Sequence, residues 1–202
     1  MAKALASAAP SADPKVLKLA VDAIHCATAS GMSPSQRLAV IDYSRASTEP
    51  RLWVFDLKRR ILLYRELVAH GRNTGDNFAR AFSNTPGSLQ SSIGLFRTTE
   101  TYQGSNGYSL RMDGLESGIN DNARERAIVM HGAPYVTPER AQTQGRVGRS
   151  WGCPAVRQGV ARQMIDALKG GQFLFSYYPD QRWLGSSSYL HCRANSQLAQ
   201  SS

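Results

Sequence analysis

One cysteine in this 202-residue chain lies in a segment suited to nucleophilic chemistry. Cys153 is part of residues 148–154 (GRSWGCP), between glycine-containing turns rather than on an apolar face. A thiol attacks carbonyl carbon as the thiolate, so it needs a base or a cation within about 3–4 Å. His131, followed by Gly132 at the end of an apolar run, is placed to supply that base. These residues alone leave a buried structural thiol open as the alternative.

The same segment also matches a serine-hydrolase pattern. Residues 148–152 read G-x-S-x-G with Ser150 as the nucleophile, and Asp180 and His191 follow in the required order. That elbow has to follow a buried strand, whereas residues 139–147 (ERAQTQGRV) are polar and interrupted by glycine. The Cys–His interpretation is therefore favoured over the serine one.

The other two cysteines have a metal interpretation and a structural one. Cys26 and Cys192 each follow a histidine, which suggests zinc, but adjacent residues seldom point at one metal. Buried thiols or a Cys26–Cys192 disulfide are favoured instead. We expect no metal and no cofactor.

The elements around these residues are mostly strands. Asp13-Pro14 and Gly31 predict the start and end of a first helix. The predicted strands cover residues 38–43, 51–57, 61–70, 93–102, 108–112, 127–130 and 172–178, and a second helix covers 159–168. Long irregular stretches are expected at 71–92 and 133–157. The pattern is typical of a mostly β fold with flanking helices, an α+β class.

Composition limits the classes of function. Hydrophobic residues make up 42% of the chain, and no apolar run reaches the ~18–20 residues that span a bilayer, so no transmembrane segment is predicted. Basic residues outnumber acidic ones by 24 to 15, which favours an anionic partner. Because the arginines are scattered rather than gathered in a stripe, nucleic acid is not the expected partner.

Two segments together resemble a known family. Residues 128–133 (IVMHGA) and 148–156 (GRSWGCPAV) are similar to the L,D-transpeptidase catalytic domain of the ErfK/YkuD type, in its murein L,D-transpeptidase branch. The family hallmark is His-Gly, a loop, then Ser/Thr-x-Gly-Cys. The likeness runs from about residue 38 to 185 and includes residues 48–53, 83–87, 118–123, 170–171 and 177–180.

The resemblance implies a mixed β-sandwich and a two-step acyl transfer on peptidoglycan stem peptides. Cys153 would form a thioester with the donor, and His131 would take the thiol proton and later deprotonate the acceptor amine. The carbonyl of Gly132 would orient the imidazole. The N–H groups of Gly152 and Cys153 would hold the oxyanion. Transfer to water instead would make the protein an L,D-carboxypeptidase or amidase, and a dead site would leave a cell-wall-binding module.

Further residues near the motif are candidate substrate contacts. These are Trp151, Ser150, Arg149, Arg126 and Asn120. The family form usually has a histidine where this chain has Trp151 and a polar residue where it has Ala155, so the donor pocket is expected to differ. Either L,D bond of the stem, L-Ala to D-Glu or diaminopimelate to D-Ala, remains open as the donor. Trp151 has two interpretations, a wall for the donor stem or core packing.

The organisation expected from this resemblance has four parts. Residues 1–12 are expected to be disordered, 13–37 a helical segment, 38–185 the catalytic domain and 186–202 a polar, loose tail. The partners implied are the donor and acceptor stem peptides, and the expected oligomeric state is a monomer. A periplasmic or cell-wall location follows from that substrate, although residues 1–12 lack the apolar core of a secretory signal.

Overall fold

A computed structural model describes residues 1–192, which form one nine-stranded sheet and five helices. The strands are β1 (Arg37–Asp42), β2 (Leu52–Asp56), β3 (Ile61–Glu66), β4 (Val68–Ala69), β5 (Gly94–Gly104), β6 (Gly107–Gly114), β7 (Val129–Ala133), β8 (Ala155–Arg157) and β9 (Phe173–Tyr177). The helices are α1 (Ala2–Ala8), α2 (Pro14–Ala29), α3 (Pro138–Gln144), α4 (Gln158–Leu168) and α5 (Gln181–Ser186). The predicted class, mostly β with flanking helices, is confirmed.

The sheet is mixed and folds back on itself. Its strand order is β3-β2-β1-β9-β5-β6-β7-β8-β4, with β1–β9 and β7–β8 parallel and the other pairs antiparallel. The outermost strands β3 and β4 are consecutive in sequence, and only Leu67 separates them. The sheet must therefore curl until its edges meet. Arg157 on β8 stabilises the closed sheet by donating two hydrogen bonds, of 2.7 and 2.6 Å, to the carboxylate of Glu66 on β3.

Helices cover both faces of the central strands. α1 and α2 pack against one face, where Leu17, Val40 and Phe175 are buried, and α4 packs against the other with Met164 and Ile165. Burial of each large apolar side chain contributes about 1.5–3 kcal/mol. β7, which carries His131, is held rigidly between its neighbours β6 and β8 and the covering helix α4.

The predicted disorder of residues 1–12 is wrong. Residues 2–8 form α1, whose Leu5 is fully buried against α2, and Ala9 and Ala12 are buried beside it. An Ala/Ser composition is typical of disordered termini, but alanine also has the highest helix propensity. One buried leucine supplies the packing that stabilises the short helix.

The expected loose tail at 186–202 is also corrected over its described part. Cys26 on α2 and Cys192 form a disulfide, with 5.7 Å between their Cα atoms, and Tyr189 and Leu190 pack against the core. Residues 193–202 of that predicted tail lie outside the described residues. The disulfide also decides against the zinc interpretation, because neither sulfur is available to a metal.

The two predicted irregular stretches have different outcomes. Residues 71–92 contain none of the named strands or helices, as expected. Residues 133–157 are more regular than predicted, because α3 and β8 lie within them. Thr137 caps α3 by accepting from the N–H of Arg140, and Pro138 follows as its first residue. None of the helices within residues 1–192 combines the length and apolar character needed to cross a bilayer.

Candidate active site

The hydroxyl group of Ser150 stabilises the turn that carries Cys153. The Oγ of Ser150 donates to the carbonyl of Cys153 at 2.7 Å and accepts from the N–H of Gly152 at 3.1 Å. Gly152 has φ +124°, and a Cβ there would lie 2.7 Å from the carbonyl oxygen of Gln90. Only glycine fits this position, because both the conformation and the close approach exclude a side chain.

The thiol of Cys153 is almost covered. The residue is 8% exposed, and its Sγ accepts from the N–H of Val129 at 3.5 Å and donates to the carbonyl of Ala127 at 3.6 Å. Burial raises the pKa of the Cys153 thiol, against smaller lowering effects from the N–H of Val129 and the charge of Arg126. The thiol is therefore protonated in the resting protein at neutral pH.

His131 lies on β7 with its ring fixed by the next residue. Its Nδ1 is 3.0 Å from the carbonyl oxygen of Gly132, which is the contact implied by the resemblance. Because a carbonyl can only accept, Nδ1 carries the proton and Nε2 is the basic nitrogen. Burial lowers the pKa of His131, only partly offset by the hydrogen bond to Gly132, so the imidazole is neutral at pH 7.

The pairing of β7 with β8 places the Cys153 turn beside the strand that carries His131. His131 is in register with Ala155 on β8, and Val129 and Cys153 lie two residues before these partners. The sulfur therefore contacts the backbone of Val129, two residues before His131 on the same strand. In this resting arrangement, the thiol's hydrogen bond goes to Ala127 rather than to the imidazole.

One of the two predicted oxyanion donors, the N–H of Gly152, already has a partner within the turn. The N–H of Gly152 is already bonded to the hydroxyl of Ser150, so it does not point into a site where an oxyanion would form. The N–H of Cys153 lies against its own sulfur, where it helps to lower the thiol pKa. Gly152 is therefore corrected from oxyanion donor to structural glycine, and an oxyanion role for the N–H of Cys153 stays a prediction.

Three of the predicted substrate contacts are committed elsewhere. Ser150 is buried and braces the turn described above. Asn120 is fully buried; its Nδ2 donates to the carbonyls of Ile93 and Leu95, so it shapes the start of β5. Arg149 forms an ion pair with Asp76 at 2.9 Å. Burial removes Ser150 and Asn120 from a substrate role, whereas the ion pair of Arg149 lies at the surface and its predicted substrate contact stays a prediction.

Arg126 is likewise occupied, although it lies closer to the thiol. Its guanidinium donates to four oxygen atoms of the 83–92 loop: the carbonyls of Ser83 and Gln90 and the hydroxyls of Ser88 and Ser92. A stem-peptide carboxylate would have to displace these contacts. In this structure Arg126 holds the loop, and its predicted contact with a substrate carboxylate stays a prediction.

Trp151 is the predicted contact that the structure leaves open to solvent. Its side chain is 74% exposed although it lies two residues from Cys153, which excludes the core-packing interpretation. Single exposed apolar side chains are common on protein surfaces, so this exposure shows only that the indole is accessible to a ligand. Trp151 thus remains a candidate wall for the substrate.

Tyr135 is a nearby residue that the sequence reasoning missed. Its ring covers Gly148, where a Cβ would lie 2.5 Å from the tyrosine Cβ. Burial, together with the charge of a Cys153 thiolate, raises the pKa of Tyr135 to about 12. Its position four residues after His131 is a weak signal in the sequence, and Gly148 is the one residue that indicated a close neighbour.

The serine-hydrolase alternative is excluded. The Oγ of Ser150 is used within the turn, Asp180 caps α5 by accepting from the N–H of Trp183, and the Nε2 of His191 contacts the carbonyl of Leu184. The three residues serve separate structural purposes and form no triad. His70 is also structural, because buried Arg51 donates to its Nδ1 at 2.8 Å.

The chain is similar to one protein family and to several solved structures. A family model described as the L,D-transpeptidase catalytic domain matches residues 8–177. Similar solved structures include L,D-transpeptidases from Mycobacterium smegmatis (12% identity, 72% of this chain and 60% of that chain, TM-score 0.43), Xylanimonas cellulosilytica (15%, 76% and 68%, 0.40) and Stackebrandtia nassauensis (12%, 80% and 67%, 0.43). This chain thus spans 60% of the length of the first. No curated protein matches it.

The family match covers most of the chain and contains both His131 and Cys153. It begins at residue 8 and so includes α2 as well as the segment from residue 38 to 177. The chain therefore belongs to the L,D-transpeptidase catalytic domain family.

Proposed function

We propose that this protein is a cysteine L,D-transpeptidase that acts on peptidoglycan stem peptides. The observation that supports this most strongly is the free thiol of Cys153, which contacts the backbone of β7 at Val129, two residues before the fixed imidazole of His131. Cys26 and Cys192 are joined in the disulfide, which leaves one sulfur for chemistry.

In the proposed first step, the sulfur of Cys153 attacks the carbonyl carbon of an L,D peptide bond. His131 Nε2 takes the thiol proton as the S–C bond forms, and the N–H of Cys153 stabilises the oxyanion. When the tetrahedral intermediate collapses, the C–N bond breaks and His131 returns the proton to the leaving amine. The product is a thioester on Cys153.

In the second step, the thioester is transferred to an amine of an acceptor stem. His131 takes a proton from the attacking amine, and the departing sulfur recovers it to regenerate the thiol. Hydrolysis of the same thioester would instead give carboxypeptidase or amidase activity. No metal or redox cofactor takes part in either step.

The neutral resting forms of the two groups favour a general-base mechanism. A preformed thiolate–imidazolium pair requires a lowered cysteine pKa and a raised histidine pKa, whereas burial shifts both in the opposite direction. Proton transfer therefore accompanies attack. The thiol must first exchange its hydrogen bond from Ala127 to His131.

A location outside the cytoplasm fits the proposed substrate. Disulfides persist mainly in oxidising compartments, and the Cys26–Cys192 bond is of the kind found there. The net charge of +9 suits an acidic wall polymer. We therefore place the activity in the periplasm or at the cell wall as part of the same proposal.

Mass spectrometry of muropeptides, after purified sacculi are incubated with the protein, tests the proposal. We expect new cross-linked dimers with wild type and none with Cys153→Ala, and fragmentation will identify the donor bond. The double variant Cys26→Ser/Cys192→Ser is the matched control, because it removes cysteines outside the site. Shortened monomers without dimers would indicate a hydrolase. Binding to sacculi without any new product would reduce the protein to a wall-binding module.

A further inference from the structure

Arg126 is bound to a single loop by contacts that leave its charge unneutralised. Its four acceptors, on Ser83, Ser88, Gln90 and Ser92, are carbonyl or hydroxyl oxygens, and no carboxylate is among them. Arginine holds several oxygens at once because its guanidinium is planar and always charged. Arg126 therefore fixes the 83–92 loop, which we call the clamped loop, and places a positively charged guanidinium against it.

The clamped loop lies directly against the turn that carries the nucleophile. The hydroxyl of Ser91 donates to the carbonyl of Gly152 at 2.9 Å, and the carbonyl of Gln90, which Arg126 holds, packs where a Gly152 side chain would be. Arg126 also precedes Ala127, whose carbonyl accepts from the thiol. One arginine therefore connects the loop, the turn and the thiol's hydrogen-bond partner.

The ionisable groups that face the thiol leave Arg126 as its fixed cation. Tyr43, Tyr135 and Arg126 lie close enough to Cys153 for their charges to interact with its thiolate, and His131 lies on β7, whose Val129 contacts the sulfur. The pKa values of both tyrosines are raised to about 12 by burial, and His131 is neutral at pH 7. Among these four groups, the guanidinium of Arg126 is thus the one that carries a charge at neutral pH.

We propose that Arg126 is a positioning residue for the nucleophile: it holds the 83–92 loop against the Cys153 turn and stabilises the thiolate as it forms. The inference rests on the proposed function for its catalytic meaning. The effect of the Arg126 charge on the pKa of the Cys153 thiol can be measured without any transpeptidase substrate.

The test is the pH dependence of iodoacetamide alkylation of Cys153, the only free thiol among the chain's three cysteines. The midpoint of the rate curve reports the thiol pKa, and its plateau reports access. We compare wild type with Arg126→Gln, Arg126→Lys and the matched control Arg124→Gln. Arg124 is a surface arginine paired with Glu100 and Asp113, away from the thiol.

We expect the midpoint of Arg126→Gln to move to higher pH by roughly half a unit to one unit, which lowers the alkylation rate at pH 7.5 about three- to tenfold. Arg126→Lys keeps the charge, so its midpoint should stay near that of wild type. Arg124→Gln should match wild type throughout. Thermal unfolding of each variant verifies that the measurement is made on folded protein.

Hydrogen exchange of residues 83–92 separates positioning from general stability. Exchange should accelerate in Arg126→Gln and not in Arg124→Gln. A midpoint for Arg126→Gln equal to that of wild type would overturn the proposal, even if the loop exchanges faster, because the arginine would then only support the fold. If the midpoint shifts but the sacculi yield no products, the inference stands and the proposed function fails.

Discussion

At the scale of single residues, the pKa shifts of Cys153 and His131 set the pH dependence of the site. Burial raises the thiol pKa above its ordinary value and lowers that of the imidazole. The thiolate fraction consequently increases as pH rises through the alkaline range, while His131 stays neutral and basic.

The corresponding prediction concerns wild-type protein. The alkylation rate of Cys153 should be low at pH 7 and continue to rise above pH 9, because a raised pKa delays formation of the thiolate. The measurement is a series of pseudo-first-order rates from pH 6 to 10.5. A rate that is already at its plateau by pH 7 would mean a preformed thiolate–imidazolium pair and would contradict the general-base mechanism.

Trp151 and Trp183 make a matched pair for a second prediction. Trp151→Ala should change the free energy of unfolding by less than about 0.5 kcal/mol, since the side chain is 74% exposed. Its KM for stem peptide should nevertheless rise if the indole forms a wall of the donor site. Trp183→Ala, at 1% exposure and with a hydrogen bond to Glu116, should lose about 3–5 kcal/mol.

Denaturant unfolding and steady-state kinetics check both halves of this prediction. An unchanged KM for Trp151→Ala would remove the residue from the substrate site. A large loss of stability for the same variant would show that the indole packs against protein after all.

At the scale of elements, the site depends on the close approach of the Cys153 turn to two loops. A Cβ at Gly71 would lie 2.4 Å from the carbonyl oxygen of Leu89 and 2.9 Å from the Cα of Gly152. Three stretches of backbone thus meet without side chains between them. Such contacts tolerate little displacement, because carbonyl and Cα atoms cannot rotate away as a side chain can.

Gly152→Ala should therefore disrupt the turn. Its Cβ would meet Gln90 O at 2.7 Å and Ile128 Cδ1 at 2.8 Å, and the residue has φ +124°. We expect a loss of at least about 2 kcal/mol in unfolding free energy and of most Cys153 reactivity. Gly159→Ala, in α4 with open space around it, is the control and should be neutral or stabilising by up to about 1 kcal/mol. Equal stability of the two variants would contradict the packing described.

Sequence patterns identified helices and strands where the hydrophobic periodicity agreed with the residues that start or end such elements. Asp13-Pro14 marked the start of α2, and the Asp13 side chain does cap it by accepting from Lys15. The short element α1 was missed because its composition resembles a linker, and β8 because three residues carry no period. Tertiary packing, which no local pattern contains, decides such segments.

For the candidate site, the sequence indicated the two reactive residues but not the contacts of the polar residues around them. Cys153 and His131 stand out by residue type and by their neighbouring glycines. The partners of Ser150, Asn120 and Arg126 could not be predicted, because their acceptors lie on backbone atoms, which for Asn120 and Arg126 are also far away in sequence. A polar residue beside a motif looks the same in sequence whether it meets substrate or supports the loop that surrounds the site.

At the scale of the whole molecule, the disulfide connects the first long helix to the end of the described chain. Cys26 and Cys192 are 166 residues apart, so the bond restricts nearly the entire unfolded chain. The expected monomer remains a prediction, which size-exclusion chromatography with light scattering will test.

Loss of this disulfide should weaken the fold without altering the chemistry. Cys26→Ser/Cys192→Ser should lose about 2–5 kcal/mol of unfolding free energy, and its alkylation curve for Cys153 should coincide with that of wild type. Denaturant titration of both proteins, in the absence of reductant, provides the comparison. A shifted alkylation midpoint would imply that the two cysteines influence the site.

The most direct test of Cys153 as the nucleophile is intact-protein mass spectrometry after rapid acid quenching of a reaction with a stem-peptide donor. The account predicts one added acyl group, located by digestion on the peptide that contains Cys153 and removed by hydroxylamine, as a thioester requires. Cys153→Ala should show no added mass. Product formation by Cys153→Ala, or an adduct on any other residue, would contradict the central claim.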